Sequence, residues 1–252
     1  MAVLGNTLTE IAYEKGGIIK PGRPVVLAPQ TEEAMIELVH LATDRNSPFT
    51  QVEKAFEYHE ISHSLSSQKI QVLRTDHPIT TKRDSLARKE LDLSLPLLGH
   101  HQMENAVTAL AALDELVRAG FKISRRAVQR GFRQVFWPAR FELLRRKPPV
   151  VIDSAHNGDS MERLVETLDE YFPGKKFILV YGASADKELD TMLKTIIARV
   201  EMVVATQSIH PRAADSDELK KLIAPYGKPL IAFHRMEEAL PEALNLAGKQ
   251  KG

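Results

Sequence analysis

The 252 residues carry 34 Lys and Arg against 33 Asp and Glu, and 43% of them are hydrophobic. That content can bury one large domain or two smaller ones, and a net charge of +1 gives no reason to expect nucleic acid as a partner, so any bound anion must be held by a local site. No cysteine is present, which excludes disulfides, thiolate nucleophiles and thiolate-held zinc. No apolar run approaches the roughly 18 residues of a membrane span, and no basic-then-apolar leader opens the chain. A cytoplasmic protein without membrane association is expected.

In chain order, Thr7 with Glu10 makes a capping box that starts a short helix, with Gly16 and Gly17 stopping it. "RPVVLAP" reads as a buried strand, and Thr31 is expected to cap "EEAMIELVHLAT", whose apolar residues share one broad face. From about Asn46 to Glu90 the chain is rich in Ser, Thr, His and Lys with short alternating runs, which predicts irregular β structure of undefined pairing. "LDLSLPLLGHHQ" reads as a strand entering a turn, "MENAVTALAALDELVRAG" as a long helix closed by Gly120, and Ser124 as the cap of "RRAVQRGF".

From Pro148 the rhythm becomes strand and helix in alternation. The strands "PVVIDSA", "KFILVYG", "EMVVAT" and "PLIAFH" alternate with helical stretches around 161–168, 189–198, 217–223 and 236–246. Continuous apolar strands between amphipathic helices predict an α/β domain with a parallel sheet covered on both faces. Ligands of such sheets bind beyond the strands' carboxyl ends, where "DSAHN", "GASADK" and "TQSIHPR" fall, so the three polar clusters are expected to form one site.

Five segments, "LGNTLTEIAYEKGGIIKPGRPVV", "LPLLGHHQMENAVTALAAL", "FWPARFELL", "VIDSAHNGDS" and "GASADKELDTML", resemble in order the folylpolyglutamate synthases and dihydrofolate synthases, a branch of the Mur ligase superfamily. The resemblance covers nearly the whole chain. It implies that residues 1–143 are the C-terminal portion of a central ATPase domain. Residues 144–252 would then be a Rossmann-like, glutamate-binding α/β domain without its last strand. It further implies an ATP- and Mg2+-dependent amide ligase, monomeric when complete, that phosphorylates a folate or dihydropteroate carboxylate and lets the amine of L-glutamate displace phosphate. The residue types suit that chemistry, because phosphoryl transfer between anions needs cationic groups that spread charge.

By the same resemblance Lys15 matches a lysine whose carbamate serves the magnesium site, with Gly16 standing where alanine is usual and expected to matter little. Asn105 matches a nucleotide-contacting asparagine; Arg140 an arginine that reaches ATP from the domain junction; and Asp153 a nucleotide-contacting aspartate. His156, with Asn157, matches an element that places glutamate and phosphate. Gly158 replaces that element's proline, so a looser turn is expected. Asp186 and Lys187 match a further nucleotide-binding pair. Taken alone, Asn105 reads as a helix-start residue, Arg140 as a surface arginine stacked on Trp137, and Asp186 as a helix cap.

Two other readings compete. His59, Glu60 and His63 form H-E-x-x-H, which on a helix would hold zinc in a peptidase; the surrounding serines and the missing helical period weigh against it. A binding module without turnover is the second, because no G-x-x-x-x-G-K-[ST] phosphate loop occurs in the chain. The family's phosphate loop and a magnesium-binding histidine would lie upstream of Met1, so the chain is expected to be an internal piece, inactive alone, with exposed sheet edges and Lys15 an unmodified amine.

Overall fold

The computed structural model describes residues 5–76, 85–185 and 189–249. The chain divides into two compact units, Met1–Phe136 and Trp137–Gly252.

In the first unit, helix α1 (Leu8–Gly16) begins with the predicted capping box: Thr7 Oγ1 accepts from Glu10 N, and the Glu10 carboxylate accepts in return from Thr7 N. Strand β1 (Val25–Leu27) leads to helix α2 (Glu32–Asp44). Thr31 occupies the cap position of α2 without a side-chain cap bond. Instead, Glu33 of the first turn accepts from Thr9 N (3.2 Å) and Thr9 Oγ1 (2.6 Å), tying α2 to the start of α1. Strand β2 (Phe49–Gln51) pairs with β1 in parallel.

The stretch the sequence left undefined becomes a short helix, α3 (Val52–Ala55), and a hairpin of β3 (Phe56–Ser64) and β4 (Ser67–Arg74). With β5 (Leu91–Leu95) they form an antiparallel sheet in the order β3-β4-β5. Leu91, Leu93 and Leu95 alternate into the core with Ile70 and Val72. Against them packs α4 (His100–Arg118) through Met103, Ala106, Val107, Leu110 and Ala111, a helical period meeting a strand period. Helix α4 starts at His100, so the expected turn at "GHHQ" is confined to Gly99, whose φ of 100° suits only glycine well. Helix α5 (Arg125–Gln134), capped by Ser124 as predicted, closes the unit.

Asp114 of α4 is fully buried. It accepts from Ser85 Oγ (2.6 Å), Leu86 N (2.6 Å) and Arg74 Nη1 (3.2 Å). Arg74 also grips Asp76 through Nε (2.7 Å) and Nη2 (3.1 Å) and lies over the Phe56 ring. Burial pulls the Arg74 pKa down, and the two carboxylates outweigh that and leave it raised.

In the second unit, β6 (Glu142–Arg146) and β7 (Pro149–Ile152) form an antiparallel hairpin. This corrects the expectation that "PVVIDSA" belongs to the parallel sheet: β7 ends at Ile152 and pairs with its sequence neighbour, which needs only a short turn where a parallel pairing needs a crossover. Because β6 and β7 pair, "WPARFE" belongs to the second unit, and the chain divides before Trp137 rather than after residue 143.

After α6 (Gly158–Tyr171) come β8 (Phe177–Tyr181), α7 (Leu189–Ile196), β9 (Val200–Thr206), α8 (Ser216–Ile223), β10 (Leu230–Phe233) and α9 (Met236–Lys249). The three strands make a parallel sheet in the order β10-β9-β8. Helix α9 covers the face with Ile178, Val180, Val204 and Ile231, through Ala239 and Ala243. Val203 and Ala205 point the other way by the strand period and are equally buried, so both faces of β9 are covered as predicted.

Candidate functional site

Lys15 sits in the last turn of α1, exposed. The chain beyond it tightens, with Gly17 N, Ile18 N and Ile19 N bonding back to Glu14, Lys15 and Gly16 carbonyls. Arg45, just past α2, donates from Nη1 to Gly16 O (2.8 Å) and Ile19 O (2.6 Å), satisfying carbonyls the helix end leaves open. Ile19 packs with Leu41 and Ala42. Gly16 faces α2: a Cβ there would stand 2.3 Å from Leu41 Cδ1, the end of a leucine side chain, so an alanine at this position requires Leu41 to shift its rotamer. Asn105 is exposed in the second turn of α4 and donates to Gln102 Oε1 at 3.4 Å, rather than capping the helix as its residue type alone suggests.

In the second unit Arg140, Asp153, His156 and Asn157 are brought together by backbone bonds. Ala139 and Phe141, on either side of Arg140, have φ of 55° and 45°, a region unfavourable to residues with a side chain. Two carboxylates hold them there. Glu142 Oε2 accepts from Ala139 N (2.9 Å), and Asp153 Oδ2 accepts from Phe141 N (2.8 Å) while its Oδ1 accepts from Ala155 N (2.7 Å). The Phe141 ring is buried against Tyr171 and Phe172, and the Arg140 guanidinium lies 5.9 Å from the Trp137 ring. Asp153 therefore acts first as a clamp that joins the "WPARFE" loop to the "DSAHN" loop.

The turn at Gly158 is not loose. Asn157 caps α6, accepting from Ser160 N (2.8 Å), and Ser160 Oγ accepts from His156 N (2.9 Å) and Asn157 N (3.1 Å). His156 Nδ1 lies 3.0 Å from Ser154 O, which fixes the exposed imidazole beside the start of a 14-residue helix. An arginine, a histidine and a helix N-terminus are each groups that can hold an anion such as a phosphate or carboxylate. A free Lys15 amine is no metal ligand; only its carbamate would be one.

The three polar clusters do not all end strands of one sheet. Those after β8 and β9 are joined by Ala185 N to Arg212 O (2.9 Å) and Ala214 N to Ala183 O (2.8 Å), whereas "DSAHN" follows the hairpin strand β7. Asp186 and Lys187 lie outside the described residues. His59, Glu60 and His63 fall on β3, exposed, with the register irregular between Glu60 and Ser62. Four residues along a strand span about 13 Å, so the two histidines do not share a zincin-type ion.

Glu142, Phe141, Ser160, Arg45 and Gly16's closeness to Leu41 escaped the sequence reading. Asn157 followed three residues later by Ser160 was the one legible signal, since a cap and its reciprocal partner stand at that spacing. Tyr181, at the carboxyl end of β8, was also missed: it is buried, its hydroxyl has no partner among the described residues, and burial pushes its pKa up to about 12.

Residues 139–252, which fall within the second unit, match the family model described as Mur ligase, glutamate ligase domain. Along most of its length the chain is similar to dihydrofolate synthases/folylpolyglutamate synthases. It is 31% identical to the dihydrofolate synthase/folylpolyglutamate synthase of Bacillus subtilis over 87% of this chain and 49% of that one. The corresponding Mycobacterium tuberculosis protein is 30% identical over 86% and 44%. A Mycobacterium tuberculosis folylpolyglutamate synthase solved with ADP and AMPPCP superposes with a TM-score of 0.84 at 26% identity, covering 99% of this chain and 55% of that one. The chain thus spans about half the length of the relatives it matches.

Proposed function

We propose that this chain serves an ATP- and Mg2+-dependent ligase that joins L-glutamate to a folate or dihydropteroate carboxylate through an acyl phosphate, in the cytoplasm and as a monomer. The observation that carries the proposal is the clamp that fixes Arg140 beside the Asp153–His156 loop at the start of α6, inside a glutamate ligase domain. Arg140 and His156 supply donors where phosphate and carboxylate charge must be borne, and the clamp holds them without reorganisation. ATP supplies the phosphoryl group when bound. Lys15, Asn105, Asp186 and Lys187 are assigned to the nucleotide and its metal by their match to the family's motifs, Lys15 to magnesium as the carbamate only.

Binding without turnover is the second reading for the chain by itself, favoured by the absence of a G-x-x-x-x-G-K-[ST] loop among its residues. Phosphate release should stay at background when the chain is given Mg-ATP, L-glutamate and either dihydropteroate or tetrahydrofolate; turnover would refute the inactivity of the chain alone. In an NMR titration, ADP or L-glutamate should bind saturably. Arg140→Ala and His156→Ala should each weaken that binding about tenfold or more, since a charged hydrogen bond contributes about 1.5–3 kcal/mol. Failure of both ligands to saturate would sink the ligase reading.

A further inference from the structure

Helix α5 presents Arg126, Arg130 and Arg133 at i, i+4 and i+7, a single face about 10 Å long by the 1.5 Å rise. With Gln129, Asp92 and Ser94 they line a cleft of about 360 Å³ in the first unit. Arg125 is turned away, donating to the carbonyls of Lys89 and Glu90. The helix is pinned to β5 by Gln129 Nε2 bonding Asp92 O at 3.0 Å. Leu91, Leu93 and Leu95 face the core, so Asp92 and Ser94 face outward, and the register sets them beside Gln71 and Lys69 on β4. Among the described residues the one carboxylate in the cleft wall, Asp92, accepts from Gln71 Nε2 at 3.0 Å. Among the described residues Arg126, Arg130 and Arg133 have no carboxylate partner, although like charges one turn apart repel and weaken the helix.

We infer that this cleft binds a linear chain of carboxylates, such as the glutamate chain that the proposed ligase lengthens; that choice of occupant rests on the ligase reading. Three arginines whose Cβ atoms stand about 5–6 Å apart from one to the next can each take one carboxylate bidentately, so they engage successive acidic side groups and gain little from a single glutamate. Among the described residues the walls hold no aromatic ring on which a base could stack, and the chain's net charge is +1, so a nucleic-acid strand is disfavoured. Lys69 extends the positive surface across the outer face of the sheet.

The test is calorimetric titration of the 252-residue chain with penta-γ-L-glutamate, L-glutamate and tripolyphosphate at two salt concentrations. Pentaglutamate should bind at least tenfold tighter than glutamate and than tripolyphosphate, with affinity falling as salt rises. Arg130→Glu and, separately, Arg126→Gln should weaken it about tenfold, whereas Lys194→Glu in the second unit should leave it unchanged. Both arginines are exposed, and an unaltered melting curve establishes that the variants fold. Equal affinity for glutamate, equal or tighter binding of tripolyphosphate, or indifference to Arg130→Glu would overturn the inference. Pentaglutamate binding through Arg130 in a chain that fails the ADP and glutamate titrations would uphold the cleft and remove the ligase reading.

Discussion

Replacing Asp153 by Asn separates two accounts of that carboxylate. If Asp153 served only a nucleotide, Asp153→Asn would alter nucleotide affinity and leave the ligand-free protein as stable as before. The structure gives it two backbone donors, Phe141 N at 2.8 Å and Ala155 N at 2.7 Å, one on each oxygen. A carboxylate bonded in this way contributes about 1.5–3 kcal/mol per bond, and asparagine keeps one acceptor, so about 1.5–3 kcal/mol is lost. Phe141 is also held at φ 45°, a conformation that costs of order 1–3 kcal/mol and persists only while its surroundings enforce it. The loss should therefore lower the melting temperature of the second unit by about 6–12 °C without ligand, and leave the transition of the first unit unmoved. Arg140 should become mobile with it, seen as averaging of its side-chain NMR signals. An unchanged melting curve in Asp153→Asn with weakened ADP binding would refute the clamp.

Gly16→Ala should destabilise the first unit by no more than about 2 kcal/mol, because the new methyl must displace Leu41 Cδ1 at an overpacking cost of about 1–3 kcal/mol, set against a gain of about 1 kcal/mol in helix propensity. In urea denaturation the Gly16→Ala/Leu41→Ala double variant should lose less than the two single losses together, and strict additivity would argue against the contact. Asp114→Ala leaves the Arg74 guanidinium without one of its buried partners and should cost the first unit about 3–5 kcal/mol in the same assay, with Asp114→Asn costing less. Tyr181 has a folded pKa of about 12 against 10.0 unfolded, so the native state keeps the proton longer. Stability of the second unit should then hold below pH 10 and fall between pH 10 and 12, and Tyr181→Phe should flatten that fall in thermal melts across the range.

Local chemistry declares itself in the chain wherever it is sufficient alone. The Thr7–Glu10 capping box, the Ser124 cap, the long apolar helix and the parallel strands all arise from period and capping, and all are present. The motifs around Lys15, Asn105, Arg140, Asp153 and His156 likewise pointed to the family before any coordinate. What depended on strand pairing and side-chain packing did not show. The strand "PVVIDSA" has the apolar run of a sheet core, yet its pairing with β6 was decided by the proximity of the two in sequence. Asp114 reads as the polar face of its helix and is buried because Arg74, Ser85 and Leu86 surround it. Sequence by itself carried the resemblance to a family and the class of fold. Only tertiary structure decided that Asp153 is a clamp, that Gly16 is where two helices meet, and that three arginines of α5 face one cleft, because each depends on which backbone comes within a few ångströms of which side chain, and that distance is fixed by packing rather than by residue type.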